Sequence, residues 1–455
     1  MTTLYEEIVL PAWARFRQAW GGGSEFRRRV SILAGGTAVA QALNFAVAPV
    51  LTRIYGPSAF GNLQVYSALI GFVMIFIALR YDLAVVMPQD DRTAANVVAV
   101  AFMVVLAMTG LISLGVWFVF GHRWLLPGAQ GLIPYLWLLP IGACGVGVYQ
   151  VLVYWGLRHH AYKAIAVSKL NQVIAQAAVQ VSGGLLTHGG LLALLVGDVC
   201  GRVGGSWRIA RITLRKDISF LRGISPASMW QAAKRYRNCP LILTGAGLIN
   251  SAGLQIVPLL ITAHFGPRMV GLFALVDRTL QAPMILVAQA TSQVYAVQAA
   301  QLGATDPIGL KRLFLKITRS SLLYSLVPLA LVFAFAPWLF ATVFGEPWRA
   351  AGQYARILAP AYCLGFAHQC VSMTLAMLER QSWQAGWDTM RLIAVVSALV
   401  GCSTAGVSFE RTLLALAAVN CLCYATNLLL CYLAITHQRI KPDDVHFHPQ
   451  EVILD

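Results

Sequence analysis

The chain has 455 residues, 58% of them hydrophobic and 11% charged, with a mean hydropathy of +0.67. That balance excludes a water-soluble globular enzyme and a disordered chain, and it points to an integral membrane protein. The formal net charge of +16 at pH 7 needs no nucleic acid to explain it, because basic residues mark inner loops and hold anionic headgroups.

Residues 1–29 read as a basic amphipathic segment lying on the inner membrane surface. They contain no short apolar core ending in a small-residue cleavage site, so the first span is expected to be retained. Apolar stretches near or beyond the roughly 20 residues that cross a bilayer as helix follow at 30–52, 60–87, 93–120, 131–157, 165–187 and 189–210. They predict a six-helix bundle over 30–212. A basic amphipathic connector at 213–238 leads to a second series at 239–263, 269–299, 318–344, 351–378, 383–407 and 411–436. These predict a second bundle over 239–436, with 437–455 as an inner tail.

The two halves share a signature. Gly56-Pro57 and Gly61 follow an apolar run carrying Pro49, and Gly266-Pro267 and Gly271 follow one carrying Pro258. A repeat of this kind in so apolar a chain predicts an all-α polytopic protein of twelve transmembrane helices, in two pseudo-symmetric bundles around a central cavity. Basic residues crowd alternate loops, among them Arg27, Arg28, Arg29, Arg92, Arg158, Lys163, Lys169, Arg215, Lys216, Lys311 and Arg380. The opposite loops hold Arg53, Arg123, Arg268, Arg349 and Arg411. The asymmetry places both termini in the cytoplasm.

Catalytic signatures are missing: the sequence has no G-x-S-x-G elbow, no H-E-x-x-H and no phosphate-binding G-x-x-x-x-G-K-[ST] loop. The nine cysteines fall mainly inside spans without a C-x-x-C pair and read as small packing residues. No enzyme activity, metal or cofactor is expected.

Charges at depth carry the functional reading, since each costs about 2.5–3.5 kcal/mol at mid-bilayer and so faces a protein interior or a wet cavity. Asp198 and Arg202 are spaced to neutralise each other on a helix with the Gly197, Gly201, Gly205 stripe. Arg80 with Asp82, and Asp388 with Arg391, lie toward the inner ends of their spans, where snorkelling competes with a role in an inner gate. Asp277 and Arg278 sit deeper, roughly 15 Å from the outer end at 1.5 Å per residue. From Arg278 a polar stripe continues through Gln281, Gln289 and Ser292. Thr37, Gln41 and Asn44 form another, Gln172, Gln176 and Gln180 a third, and Asn420 with Asn427 a fourth. Several polar faces suit a hydrated cavity, and its arginines suit an anionic ligand that accepts a forked guanidinium contact.

The segment Leu51-Thr52-Arg53, Gly56-Pro57, Phe60-Gly61, followed by Arg80-Tyr81-Asp82-Leu83-Ala84 and then Pro88 with Asp90 and Asp91, resembles the start of Wzx-type polysaccharide flippases. These belong to the multidrug/oligosaccharidyl-lipid/polysaccharide (MOP) exporter superfamily, which includes the MATE transporters. Asp277-Arg278 with Pro283 also resembles the eighth span of lipid II flippases in that superfamily. The resemblance implies a MATE-like fold and a polyprenyl-diphosphate-linked oligosaccharide moved by alternating access across the bacterial inner membrane. It makes Arg278 the cavity cation for the diphosphate, assisted by Arg356, with Asp277, Arg80, Gln281, Gln41, Asn44, Gln172 and Gln176 contributing to the substrate path. The lipid II flippases carry a cation within the first span, and this chain has none between Arg29 and Arg53, which favours a polysaccharide repeat unit. Membrane lipids and the polysaccharide polymerase machinery are the expected partners. Na⁺, H⁺ and the membrane potential stay open as driving forces, with Asp277 and Asp198 as the deep acids. A MATE-like cation or drug antiporter would show unpaired cavity carboxylates instead. A glycan polymerase or ligase would need large outer loops with catalytic acids.

Overall fold

The structure, a computed structural model, describes residues 25–122, 127–206, 209–211, 223–237, 239–240, 244–303, 306–378 and 380–437. Most of the amphipathic segment expected at 1–29, the first part of the 213–238 connector and nearly all of the tail from 437 lie outside the described residues. Among those residues the secondary structure is helical. In chain order the helices are α1 (Glu25–Ile54), α2 (Pro57–Phe76), α3 (Tyr81–Ala84), α4 (Asp91–His122), α5 (Leu138–Arg158), α6 (Tyr162–Leu186) and α7 (Leu191–Gly204). Then come α8 (Pro226–Arg235), α9 (Thr244–Gly303), α10 (Pro307–Phe344), α11 (Arg349–Cys370), α12 (Thr374–Met377), α13 (Gln381–Thr404) and α14 (Phe409–Thr436). Each expected span overlaps described helix, the seventh and eighth on the two arms of α9, but the second runs past the end of α2 through the bend to α3 and the tenth past the end of α11 to α12. Eight of the described helices are long and apolar enough to cross a membrane. The apolar side chains they leave exposed, such as Leu106, Leu114 and Trp117 on α4 and Val327, Phe335 and Trp338 on α10, are where lipid contact requires them.

The chain divides into two compact units, Met1–Gly271 and Leu272–Asp455, the division falling within α9. In the first, the repeated Gly-Pro motifs end one helical run and start the next. Pro57 takes the first position of α2, where a missing N–H leaves nothing unpaired, and Gly56 before it is extended at φ −76°, ψ 168°. Gly266 breaks α9 at φ 81°, ψ 173°, a conformation open essentially to glycine alone. A threonine within about one turn of each upstream proline returns to its carbonyl: Thr52 Oγ1 donates to Pro49 O at 3.1 Å and Thr262 Oγ1 to Pro258 O at 2.8 Å. The two motifs also meet. A Cβ on Gly61 would fall on the Pro267 carbonyl, and one on Gly271 would fall on the Pro57 carbonyl. The repeat is therefore a reciprocal backbone crossing as well as a sequence pattern.

Beside the crossing, α6 packs on both α1 and α7. Tyr55, 1% exposed, donates to the Gln180 carbonyl at 2.7 Å. At the other end of this unit the chain between α2 and α4 is held from outside. Arg158, in the last turn of α5, donates through Nε to Asp91 at 2.9 Å, through Nη1 to Pro88 O at 2.6 Å and through Nη2 to Gln89 O at 3.2 Å. Asp90 caps α4 by accepting from the Thr93 N–H at 2.7 Å, which holds its carboxyl below the usual range. Within the connector, α8 starts at Pro226 with Ser225 as its N-cap, and Tyr81 donates to the Ala233 carbonyl at 3.2 Å. Arg158→Ala strips three donors from this turn at once. The expected loss is about 1–3 kcal/mol, measured as a lower denaturation midpoint of the purified protein, with Arg158→Lys recovering only part because it has no fork.

In the second unit, α10 packs on α11 and α14 on both α11 and α13. Gly352 lets α11 touch the backbone of α10 at Ala336 and Pro337. One core joins Tyr295, Leu310, Phe314, Val371, Leu375 and Ile435. Within it the Tyr295 and Thr374 hydroxyls are 2.7 Å apart.

Candidate functional site

In the first unit the polar face of α1 carries Thr37, Gln41 and Asn44, with Gln41 exposed and Asn44 half-buried. A cation reaches this face from the neighbouring helix: Lys169 Nζ donates to Thr37 Oγ1 at 3.0 Å. The sequence reading placed Lys169 among the loop charges. It lies inside α6, because that helix starts at Tyr162 and the lysine is two turns in. The stretch of α1 between Arg29 and Arg53, which carries no cation of its own, thus acquires a basic partner.

The Gln172, Gln176, Gln180 stripe of α6 meets the glycine stripe of α7 in register. A Cβ on Gly197 would strike Gln180, one on Gly201 would strike Gln176, and one on Gly205 would strike Gln172. Gln180 Nε2 also donates to Leu194 O at 2.9 Å, and Gln172 Nε2 lies 3.5 Å from Arg202 O. These amides pack between helices and satisfy backbone carbonyls. Asp198 and Arg202 form a fork on α7, with Nε to Oδ2 at 2.6 Å and Nη2 to Oδ1 at 3.3 Å. Arg80 stands between α2 and α3 in left-handed backbone, φ 59°, ψ 12°. An apolar cavity of about 470 Å³ between α4, α5 and Val203 is separate from these groups and contains no charge.

In the second unit Asp277, on α9, accepts a 2.7 Å hydrogen bond from the Tyr362 hydroxyl on α11. Arg278 follows it, half-buried, and Gln281, one turn from Asp277, is exposed. Arg391 on α13 donates to the Tyr424 hydroxyl at 3.0 Å and lies over the rings of Tyr424, at 5.0 Å, and Trp387, at 5.7 Å. His368 stacks on the same two rings at 5.3 and 5.0 Å. Tyr424 is within electrostatic reach of both Asp277 and Arg391. Asp277, Tyr362, Tyr424, Arg391 and His368 therefore form one polar cluster drawn from four helices. Arg391 is the member that sequence reasoning treated as an interfacial charge; the aromatic residues one turn before it and on α14 are what hold it in place. Arg356 donates through Nη2 to Ala334 O of α10 at 3.0 Å, while its Nε is buried without a hydrogen-bond partner. Arg356 and the Asp277 cluster both draw on α11, but Arg356 bonds to α10 while Tyr362 bonds to α9. Among the described residues no group of His, Cys, Asp and Glu side chains is placed to hold a metal ion.

Eight helices long and apolar enough to cross a membrane, with arginine, lysine and carboxylate side chains among them, define a polytopic α-helical membrane protein. Its fold is that of the MOP superfamily. The inward-facing conformation of a multidrug resistance MATE family transporter matches with a TM-score of 0.62 at 14% identity, over 87% of this chain and 94% of that one. The outward-facing conformation of such a transporter matches at 0.51 and 14%, over 90% and 98%. A MOP superfamily transporter from Pyrococcus furiosus, described as having a binding pocket of reversed polarity, matches at 0.52 and 14%, over 90% and 94%. The family of polysaccharide biosynthesis proteins matches residues 50–353, and the chain belongs to it. No curated protein matches the chain.

Proposed function

We propose that this protein flips a polyprenyl-diphosphate-linked oligosaccharide from the inner to the outer leaflet of the bacterial inner membrane. The observation that carries the reading is a polysaccharide-biosynthesis chain, matched over residues 50–353, in which each unit presents a cation on a polar helix face. Lys169 stands beside Thr37 in the first unit; in the second, Arg278 follows Asp277 in the chain and Arg391 belongs to the Asp277 cluster. Twelve crossing helices and cytoplasmic termini complete the topology. The diphosphate pairs with Arg278, since a guanidinium stays charged and offers parallel donors to phosphate oxygens. The amide faces, Gln41 and Asn44 among them, accept and donate to sugar hydroxyls. An anion moving outward gains about 2.3 kcal/mol per charge per 100 mV from the membrane potential.

The test is the leaflet distribution of lipid-linked oligosaccharide in cells lacking the gene and complemented by variants. Deletion is expected to trap the intermediate inside. Arg278→Ala should leave it trapped, with flux reduced roughly 10- to 100-fold for one lost charged hydrogen-bonding group of about 1.5–3 kcal/mol, and Arg278→Lys should restore part of it. Export without the protein would sink the reading. The second reading is a MATE-like cation antiporter, favoured by the fold match with a multidrug transporter; it requires cation efflux that survives Arg278→Ala.

A further inference from the structure

The turn between α2 and α4 holds polar atoms that the described protein leaves unused. Two consecutive non-glycine residues there are left-handed, Leu79 at φ 44° and Arg80 at φ 59°. Strain of this kind, costing about 1–3 kcal/mol per residue, persists where surrounding contacts fix the chain, and here Tyr81 is tied to Ala233 directly after the two residues while Arg158 holds Pro88 further along the turn. The bend carries Asp82 into the unit until it is 2% exposed. Its Oδ1 is buried with no hydrogen-bond partner, and so is Nε of Arg80. Tyr154 on α5 is within electrostatic reach of both Asp82 and Arg80. One turn before Tyr154, on the same helix face, Gln150 presents a third buried unpartnered atom, Oε1. A native fold rarely leaves such atoms unmatched, so three in one neighbourhood need an explanation.

We infer that Asp82 is a proton-binding site that couples proton movement to the transport cycle. The atoms support two mutually exclusive arrangements. With a proton on Oδ1, the Asp82 carboxyl becomes a donor, and the acceptor it would take is Gln150 Oε1, one turn from Tyr154 on α5. Without it, the carboxylate pairs with Arg80 Nε, one residue beyond Tyr81, and both charges are matched. A single proton gained or lost exchanges one pairing for the other, and no other reactant is needed. Anions fit poorly beside the carboxylate and metal cations fit poorly beside the guanidinium, which leaves the proton as the ligand that suits both groups. The other acids named at depth are already engaged, Asp198 by Arg202 and Asp277 by Tyr362. Among the described residues, Tyr81 adjoins Asp82 on its own helix, Tyr154 on α5 and Cys239 beyond α8 feel its charge, and the ends of α4 and α5 nearby in the fold carry Asp91, Arg92 and Arg158. Asp91 and Arg158 neutralise each other at 2.8 Å. Strain at Leu79 and Arg80 gives the switch a mechanical outlet, because Tyr81 passes any change of the bend to α8 through Ala233.

This inference rests on the transporter reading but on no particular cargo, so the experiment uses the purified full-length protein without substrate. Infrared difference spectra across a pH titration, in an Asp277→Asn background, are expected to show a protonated-carboxyl band that vanishes as pH rises. Adding Asp82→Asn should remove the band. Arg80→Gln should retain the band but move its midpoint upward by about one to three pH units, since a lost cation no longer favours the carboxylate. That shift decides the matter should Asp82→Asn fail to fold. A band untouched by Asp82→Asn, a midpoint untouched by Arg80→Gln, or a signal that follows Na⁺ and ignores pH would overturn the proposal. Flippase failure would show instead as correct titration with no oligosaccharide export.

Discussion

Gly61→Ala and Gly271→Ala are each expected to destabilise the first unit by more than the about 1–3 kcal/mol that overpacking usually costs, and to abolish polysaccharide export in complemented cells. The reason lies in what the new methyl would meet. At Gly61 it meets the Pro267 carbonyl, and at Gly271 it meets the Pro57 carbonyl and the Gly61 nitrogen. These are backbone atoms at the first turns of two helices, so no side chain can swing aside. The two positions share one contact, and the double variant should fall short of the sum of the singles. The glycines that precede the prolines make an internal control. Gly56 has φ −76° and open space where a Cβ would go, so Gly56→Ala should be nearly neutral. Gly266 has equally open space but φ 81°, ψ 173°, so Gly266→Ala should cost about 1–3 kcal/mol from backbone strain alone. Thermal unfolding of the four single variants in detergent would check the order. Equal tolerance at Gly61 and Gly56 would mean that the crossing is not made.

That contrast shows what was legible in the residues. The repeated Gly-Pro pairs mark where helical runs break, because proline at a first helical position and glycine before it are local preferences that one chain displays. The helices themselves follow from long apolar runs, and each expected span overlaps helix among the described residues, although the breaks after Phe76 and Cys370 carry no such mark. Pairing between distant segments has no such local mark. The glutamine stripe of α6 and the glycine stripe of α7 are both visible as four-residue spacings, yet nothing in either says that each glutamine lies over a glycine. Lys169 reads as a loop charge until α6 is seen to start before it, and Arg158 until its three donors are seen closed on residues 88–91. Of the candidate site, Asp277 and Arg278 stood out because depth makes charge expensive. Arg391 did not, because its stabilising partners are aromatic faces on α13 and α14, and an aromatic residue in an apolar span signals only packing.

Arg202→Ala should be the most damaging removal of a single charge in the first unit, at about 3–5 kcal/mol for a buried pair deprived of one partner. The lower end applies, because Arg202 keeps 24% of its side chain exposed while Asp198 keeps 9%. What remains after the substitution is a carboxylate held on α7 between Gly197 and Gly201, two of the positions at which α6 approaches closely. It can neither reach water easily nor draw a second cation from α6, whose side chains over the glycine stripe are amides and whose Lys169 is bonded to Thr37. Replacing both residues, Asp198→Asn with Arg202→Gln, removes the stranded charge and keeps a donor facing an acceptor at the same four-residue spacing, so stability should return to within about 1 kcal/mol of the parent. Urea unfolding of the purified single and double variants measures the difference, and export by complemented cells gives it meaning. A double variant that is stable and exports polysaccharide assigns the pair to helix packing. One that is stable but does not export makes the charges part of the transport cycle, and the glycine stripe then serves to hold that pair against α6 while it works.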